Sequence, residues 1–171
     1  QTNVLCNGGA NGSVTVAGSD GTPGYLYSLD GGATTQASGT FNGLSAGALT
    51  VTVVDDNGCT EDVPVIITEP DALDGSITAQ TNVLCNVAAT GSVTVAGADG
   101  TPGYLYSLNG GGTTQPSGTF NGLSAGALTV TVVDDNGCTE DVPVTITEPD
   151  ALDGSITAQT NVLCNGDANG S

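Results

Sequence analysis

Lysine, arginine and histidine are absent from all 171 residues, as are methionine and tryptophan. Without a cationic side chain nothing can neutralise phosphate, so direct binding to nucleic acid is excluded. The attraction that holds basic segments to anionic membranes is missing as well, so no direct membrane contact is expected. The lack of histidine removes Ser-His and Cys-His pairs. The lack of lysine removes Ser-Lys and Schiff-base chemistry, along with the Lys–Asn isopeptide staple of some pilins. A carboxylate pair such as Asp55 and Asp56 has the wrong setting for acid–base work, being adjacent on one turn with no evident pocket. The chain is read as non-enzymatic. These 171 residues also hold no apolar run of membrane-spanning length, signal peptide or lipidation motif, which bears on this window alone.

What is present is repetition. QTNVLCN begins at Gln1, Gln80 and Gln159, a period of 79 residues. Residues 1–79 and 80–158 agree at 71 of 79 positions. They differ at Gly8/Val87, Gly9/Ala88, Asn11/Thr90, Ser19/Ala98, Asp30/Asn109, Ala33/Gly112, Ala37/Pro116 and Ile66/Thr145. The last 13 residues restart the unit, with Asp167 in place of Gly9. A period this long suits one small domain per repeat better than a solenoid turn. The division expected is repeat one over 1–73, with its first strand incomplete, repeat two over 74–152, and the start of a third over 153–171. The expectation is a window on a longer array.

The 18 acidic residues face no basic partner. Such an array repels itself, stays soluble and attracts cations. Five cysteines lie at 6, 59, 85, 138 and 164, so the spacing alternates between 53 and 26 residues. With no CxxC and no histidine they do not form a zinc set. A core of this size is marginal alone, and small extracellular domains meet that deficit with disulfides. Cys6–Cys59 and Cys85–Cys138 are the pairings expected, with Cys164 waiting for a partner further on. The alternative is Cys59–Cys85 with Cys138–Cys164. A 53-residue separation contributes about 4 kcal/mol in the chain-entropy model. The geometry conflicts, however. Seven strands put Cys6 and Cys59 at opposite ends of a sandwich, and six put both chain ends at one end.

No segment has helical periodicity; the pattern is alternation broken by turns. In repeat two the strands are expected at the GSITAQTNVLC segment, Ser92–Ala96, Tyr104–Leu108, Thr119–Leu123, Ala127–Val133 and Val142–Thr147. Asp99–Gly103, Asn109–Gly112 and Asp134–Gly137 supply turn residues. Leu128, Val130 and Val132 share one strand face, and Thr129 and Thr131 the other. Pro143 implies a sheet edge, because it cannot donate to a ladder. Each unit is therefore expected to be an antiparallel β-sandwich of six or seven strands. The linker Thr68–Gly75 is short and stiffened by Pro70. It suggests a semi-stiff string with a rise on the order of 40 Å per repeat.

The unit resembles the SprB repeat of large secreted surface adhesins of gliding bacteria. The pieces are Cys6 with its Gly-rich turn and Gly12–Val16, then TPGYLYSL (Thr22–Leu29), GLSAGALTVTVVDDNGCT (Gly43–Thr60) and ITEPDAL (Ile67–Leu73). Together they extend over essentially all of both repeats. Leu29 and Leu49 stand where the family often has Trp and Tyr, which lightens the aromatic content. The resemblance implies a secreted, cell-surface, Ig-like tandem repeat serving structure and adhesion. The reading that follows is the shaft of a long extracellular adhesin or filament, with neighbouring identical repeats as partners and lateral self-association between arrays. The alternative is a multivalent module that grips surface glycans or calcium, because near-identical copies also suit avidity.

Two acidic groups could take Ca2+, which needs six to eight oxygens. One is the turn carboxylates Asp55, Asp56, Asp134 and Asp135. The other is the linker acids Glu69, Asp71 and Asp74, together with Asp99 of the following repeat. The plainer reading is a hairpin turn and a solvated linker, and no cofactor is required. Tyr25, Tyr27, Tyr104 and Tyr106 could stack on sugar, but their spacing with Leu29 and Leu108 favours the core. Thr50/Thr52 and Thr129/Thr131 are too few for an ice-matching lattice.

Overall fold

The structure is a computed structural model, and it describes every residue except Asp167, Asn169 and Ser171. Among the described residues there is no helix. Repeat one contains β1 (Gly12–Thr15), β2 (Leu26–Ser28), β3 (Thr40–Leu44), β4 (Gly47–Val54) and β5 (Thr60–Ile67). Repeat two contains β6 (Asp74–Thr81), β7 (Gly91–Ala98), β8 (Leu105–Leu108), β9 (Thr119–Leu123), β10 (Gly126–Val133) and β11 (Thr139–Ile146). All pairing is antiparallel.

The all-β reading holds, and repeat two has six strands. They form two three-stranded sheets, β6-β7-β9 and β11-β10-β8. The inward residues of both sheets share one core: Val93 and Val95 from the first, Tyr106, Val130, Val132, Val142, Val144 and Ile146 from the second. Repeat one repeats the scheme with β1-β3 and β2-β4-β5 around Val14, Tyr27, Val51, Val53, Val65 and Ile67. Its outer strand is reduced to one bridge, Thr2 with Ser13. β11 is an edge strand, which is why Pro143 can sit opposite Thr129 within it. That strand starts at Thr139, three residues before the turn chemistry suggested.

Strand directions settle where the chain enters and leaves. β6 runs away from the entry end, β7 returns, and β9 runs outward again. Only Ser124 and Ala125 separate β9 from β10, so β10 starts at the far end, and β11 finishes there. Entry and exit are therefore at opposite ends, although six strands had implied one end. The missing reversal lies in the loop between β8 and β9, where Gln115 doubles back to bridge Tyr106. Gly118 in that loop admits no side chain, since a Cβ there would lie 1.9 Å from the Val95 carbonyl oxygen. The repeats can thus extend end to end.

Candidate functional site: the junction between repeats

The junction is built by the turn after the first strand segment of one repeat, the linker, and the β10–β11 hairpin of the next. The linker is tied down along its length. Val4 donates its amide to the Thr68 carbonyl at 2.9 Å. The Asn7 side-chain amide donates to the Pro70 carbonyl at 3.0 Å. The Gly8 amide donates to the Glu69 carboxylate at 2.6 Å. Repeat two has the same set: Val83 to Thr147 at 2.9 Å, Asn86 to Pro149 at 3.2 Å and Val87 to Glu148 at 2.7 Å. Val87 holds a positive φ of 54° there, where repeat one has Gly8. Beyond the linker, Leu73 packs against the core of repeat two. The linker therefore belongs to both neighbours.

Across the junction, Cys6 is bonded to Cys138, with Cα atoms 5.7 Å apart. The Asn136 side-chain amide donates to the Leu5 carbonyl at 3.0 Å and to the Thr101 hydroxyl at 2.7 Å. A cleft of about 440 Å³ lies beside the bond, lined by Cys6, Asn7, Ala72, Leu73 and Gly137–Glu140.

This overturns the expected pairing. Cys6 does not meet Cys59, Cys85 does not meet Cys138, and the alternative of Cys59 with Cys85 is not formed either. The cause is the strand path. Within repeat two, Cys85 follows β6 at the exit end while Cys138 precedes β11 at the entry end. The eight residues of β11 hold those ends about 26 Å apart, against the ~7 Å limit for a disulfide. The exit end of one repeat abuts the entry end of the next, so Cys6 finds the cysteine one repeat further on. Cys59, Cys85 and Cys164 are unbonded and exposed.

The hairpin that presents Cys138 is held by Asp134. Its carboxylate accepts the amides of Thr101 at 2.9 Å, Asn136 at 3.0 Å and Cys138 at 2.8 Å. Asp55 does the same for Thr22 at 3.0 Å, Asn57 at 3.0 Å and Cys59 at 2.8 Å. The Thr22 amide first, then that of Cys59, holds the Asp55 carboxyl below its ordinary range. These aspartates stabilise the turn and aim the cysteine.

Glu69 is engaged with Gly8. Asp99 turns the chain with a φ of 57° and offers its carbonyl to the Tyr104 hydroxyl at 2.7 Å. Asp56 and Asp135 carry on from the same turns, their amides donating to Thr22 and Thr101. Asp71 and Asp74 are exposed. Among the described residues no three of these acids converge as a cation site.

The tyrosines are core residues with occupied hydroxyls. Tyr27 and Tyr106 are buried and accept the amides of Gly18 and Gly97, each at 3.0 Å. Tyr25 and Tyr104 pack against the two cores.

A family model described as the SprB repeat matches the chain at residues 1–34 and 77–113. The two matches end at equivalent positions, and the second begins three residues before the counterpart of Gln1. Each holds the Cys6 or Cys85 turn, the following strand and the YLYSL segment, and stops short of Gly43–Thr60 and Ile67–Leu73 or their counterparts. No curated protein matches.

Proposed function

We propose, from the two matches to the SprB repeat, that this chain is a segment of the shaft of a long extracellular surface adhesin, supplying reach and not catalysis. The observation that carries the reading is the junction: a hydrogen-bonded linker and a disulfide join consecutive sandwiches end to end. Few ways of adding length make each added unit stiff; a bonded head-to-tail junction is one. The bond also suits an oxidising, extracellular setting. Eighteen acidic residues without a base keep crowded shafts apart.

The test is length against copy number. Chains of two, four and eight repeats should give maximum dimensions by small-angle scattering that grow in proportion to copy number. Growth as the square root of copy number is the behaviour of a flexible tether and would refute the shaft. A glycan array and calorimetry with Ca2+ on the same chains cover the alternative. Saturable binding with one site per repeat would make ligand capture the purpose of the repetition.

A further inference from the structure

The covalent route along this molecule is much shorter than its backbone. Cys6 and Cys138 are 132 residues apart in sequence, and β1 through β10 all lie between them. We propose that the Cys6–Cys138 bond is a bypass that carries tension. Tension along the chain passes from the Cys6 turn through the two sulfurs into β11, and the loops and hairpins of both sandwiches carry none of it. The proposal rests on the bond and the strand directions, and it stands apart from the adhesin reading.

The segment that does carry load suits the task. β11 leaves Cys138 at the entry end of repeat two and finishes at the exit end, so tension acts along its length. Eight consecutive residue pairs with β10, from Val133–Thr139 to Gly126–Ile146, hold it extended along that line. It also has almost no slack. Eight residues in a strand span about 26 Å, against at most about 29 Å when pulled taut. The bypassed 132 residues would instead release on the order of 450 Å of contour if they could be unfolded.

The arrangement is periodic. Cys59 occupies in repeat one the place of Cys138, and Cys85 occupies in repeat two the place of Cys6. The stretch from Cys59 to Cys85 is β5, the linker and β6, running from one repeat's entry end into the next. In an array Cys85 would take the cysteine 132 residues further on. Each such bond forms when two thiols exchange with an oxidised disulfide such as glutathione disulfide. That disulfide accepts two electrons and two protons and leaves as two thiols. The result is a rod whose shortest covalent path consists of straight strands joined by sulfur.

The experiment is force–extension measurement on single molecules of this chain, held by its termini, with free thiols alkylated. Mass spectrometry of the same preparation verifies the bond. The oxidised chain should show no release from within residues 6–138 up to forces at which the reduced chain is fully stretched. With dithiothreitol, two unfolding events should appear, and the final length should increase by roughly 450 Å. Cys138→Ser and Cys6→Ser should both reproduce the reduced behaviour without reductant. The final length needs no folded variant, so a substitution that fails to fold still reports. Sandwich unfolding with that full release in chains whose bond is intact would overturn the bypass. So would equal final lengths with and without reductant.

Discussion

Residues 67–86 and 146–165 are the same twenty amino acids in the same order, yet they adopt different structures. In the first, Asp74–Thr81 is a strand paired with β7 from Asp74–Ala98 to Thr81–Ser92. In the second, the same octapeptide at 153–160 is in no strand. Val83 is 4 % exposed and Val162 is 51 %. Leu73 is packed against a core, whereas Leu152 is fully exposed. Local propensity is identical in the two, so it decides nothing here. What differs is the partner: β7 and its core follow the first copy, and the equivalent residues do not follow the second within this sequence. The strand is a tertiary structure that happens to be written locally.

The largest break in that comparison should come from glycine. A Cβ at Gly75 would lie 2.5 Å from a Val142 methyl and 3.0 Å from one of Val132, while at Gly154 nothing lies within 4 Å. Gly75→Val should therefore destabilise repeat two by about 3 kcal/mol through overpacking. Gly154→Val should leave the melting curve unchanged, and thermal unfolding followed by circular dichroism measures both. Next, a copy of residues 72–79 fused ahead of Gln1 should give repeat one its missing outer strand. A leucine equivalent to Leu73 would be buried in the process, so a gain of about 2 kcal/mol is expected. Hydrogen exchange should show new protection at Ala17 and Ser19, the counterparts of Ala96 and Ala98 opposite β6. Val83→Ala should cost about 2 kcal/mol, from lost burial plus a cavity. Val162→Ala should cost nothing measurable.

The smallest effect separates the two complete repeats at Asp30 and Asn109. Asp30 is held at about 2, below its ordinary 3.8, first by the Ser28 hydroxyl and then by the Thr34 amide. Asn109 instead exchanges hydrogen bonds with the backbone of Thr129, at 2.7 and 3.0 Å, and cannot titrate. A carboxylate with a depressed folded pKa contributes stability above its ordinary pKa and loses it as pH falls through the depressed value. Between pH 4 and pH 2 the protection factors at Gly32 and Thr34 should fall, while those at Gly111 and Thr113 stay level. Nuclear magnetic resonance exchange data on the two loops provide the check.

Much of the fold was legible from period-two alternation and turn residues. Val130 and Val132 lie inward as Leu128–Val132 implies, Pro143 marks an edge, and the tyrosines fill the core. The site was less legible. Cysteine spacing restricts partners but carries no direction, and the direction of β11 depends on the return of Gln115 to Tyr106, which no local pattern announces. A clue did exist in the conflict between strand count and chain ends. If neither cysteine of a repeat can reach the other, and consecutive repeats meet end to end, the remaining partner is the cysteine one period beyond. The carboxylates were legible as turn formers. Their further part, in aiming Cys59 and Cys138, depends on amides that only the folded loop brings together.

The 132-residue reach of the bond equals one full period added to the 53 residues between the cysteines of one copy. Its reach is therefore matched to the unit in which the gene for such an array grows or shrinks. Unequal crossing-over between near-identical copies adds or deletes whole periods, and it can strike anywhere in the unit so long as it strikes in register. Every recombinant then keeps each sulfur the same distance from its mate. A slip that leaves a partial period instead disrupts the linker, the outer strand and the sulfur pairing at one junction. Copy number can therefore change by whole periods without breaking the sulfur pairing.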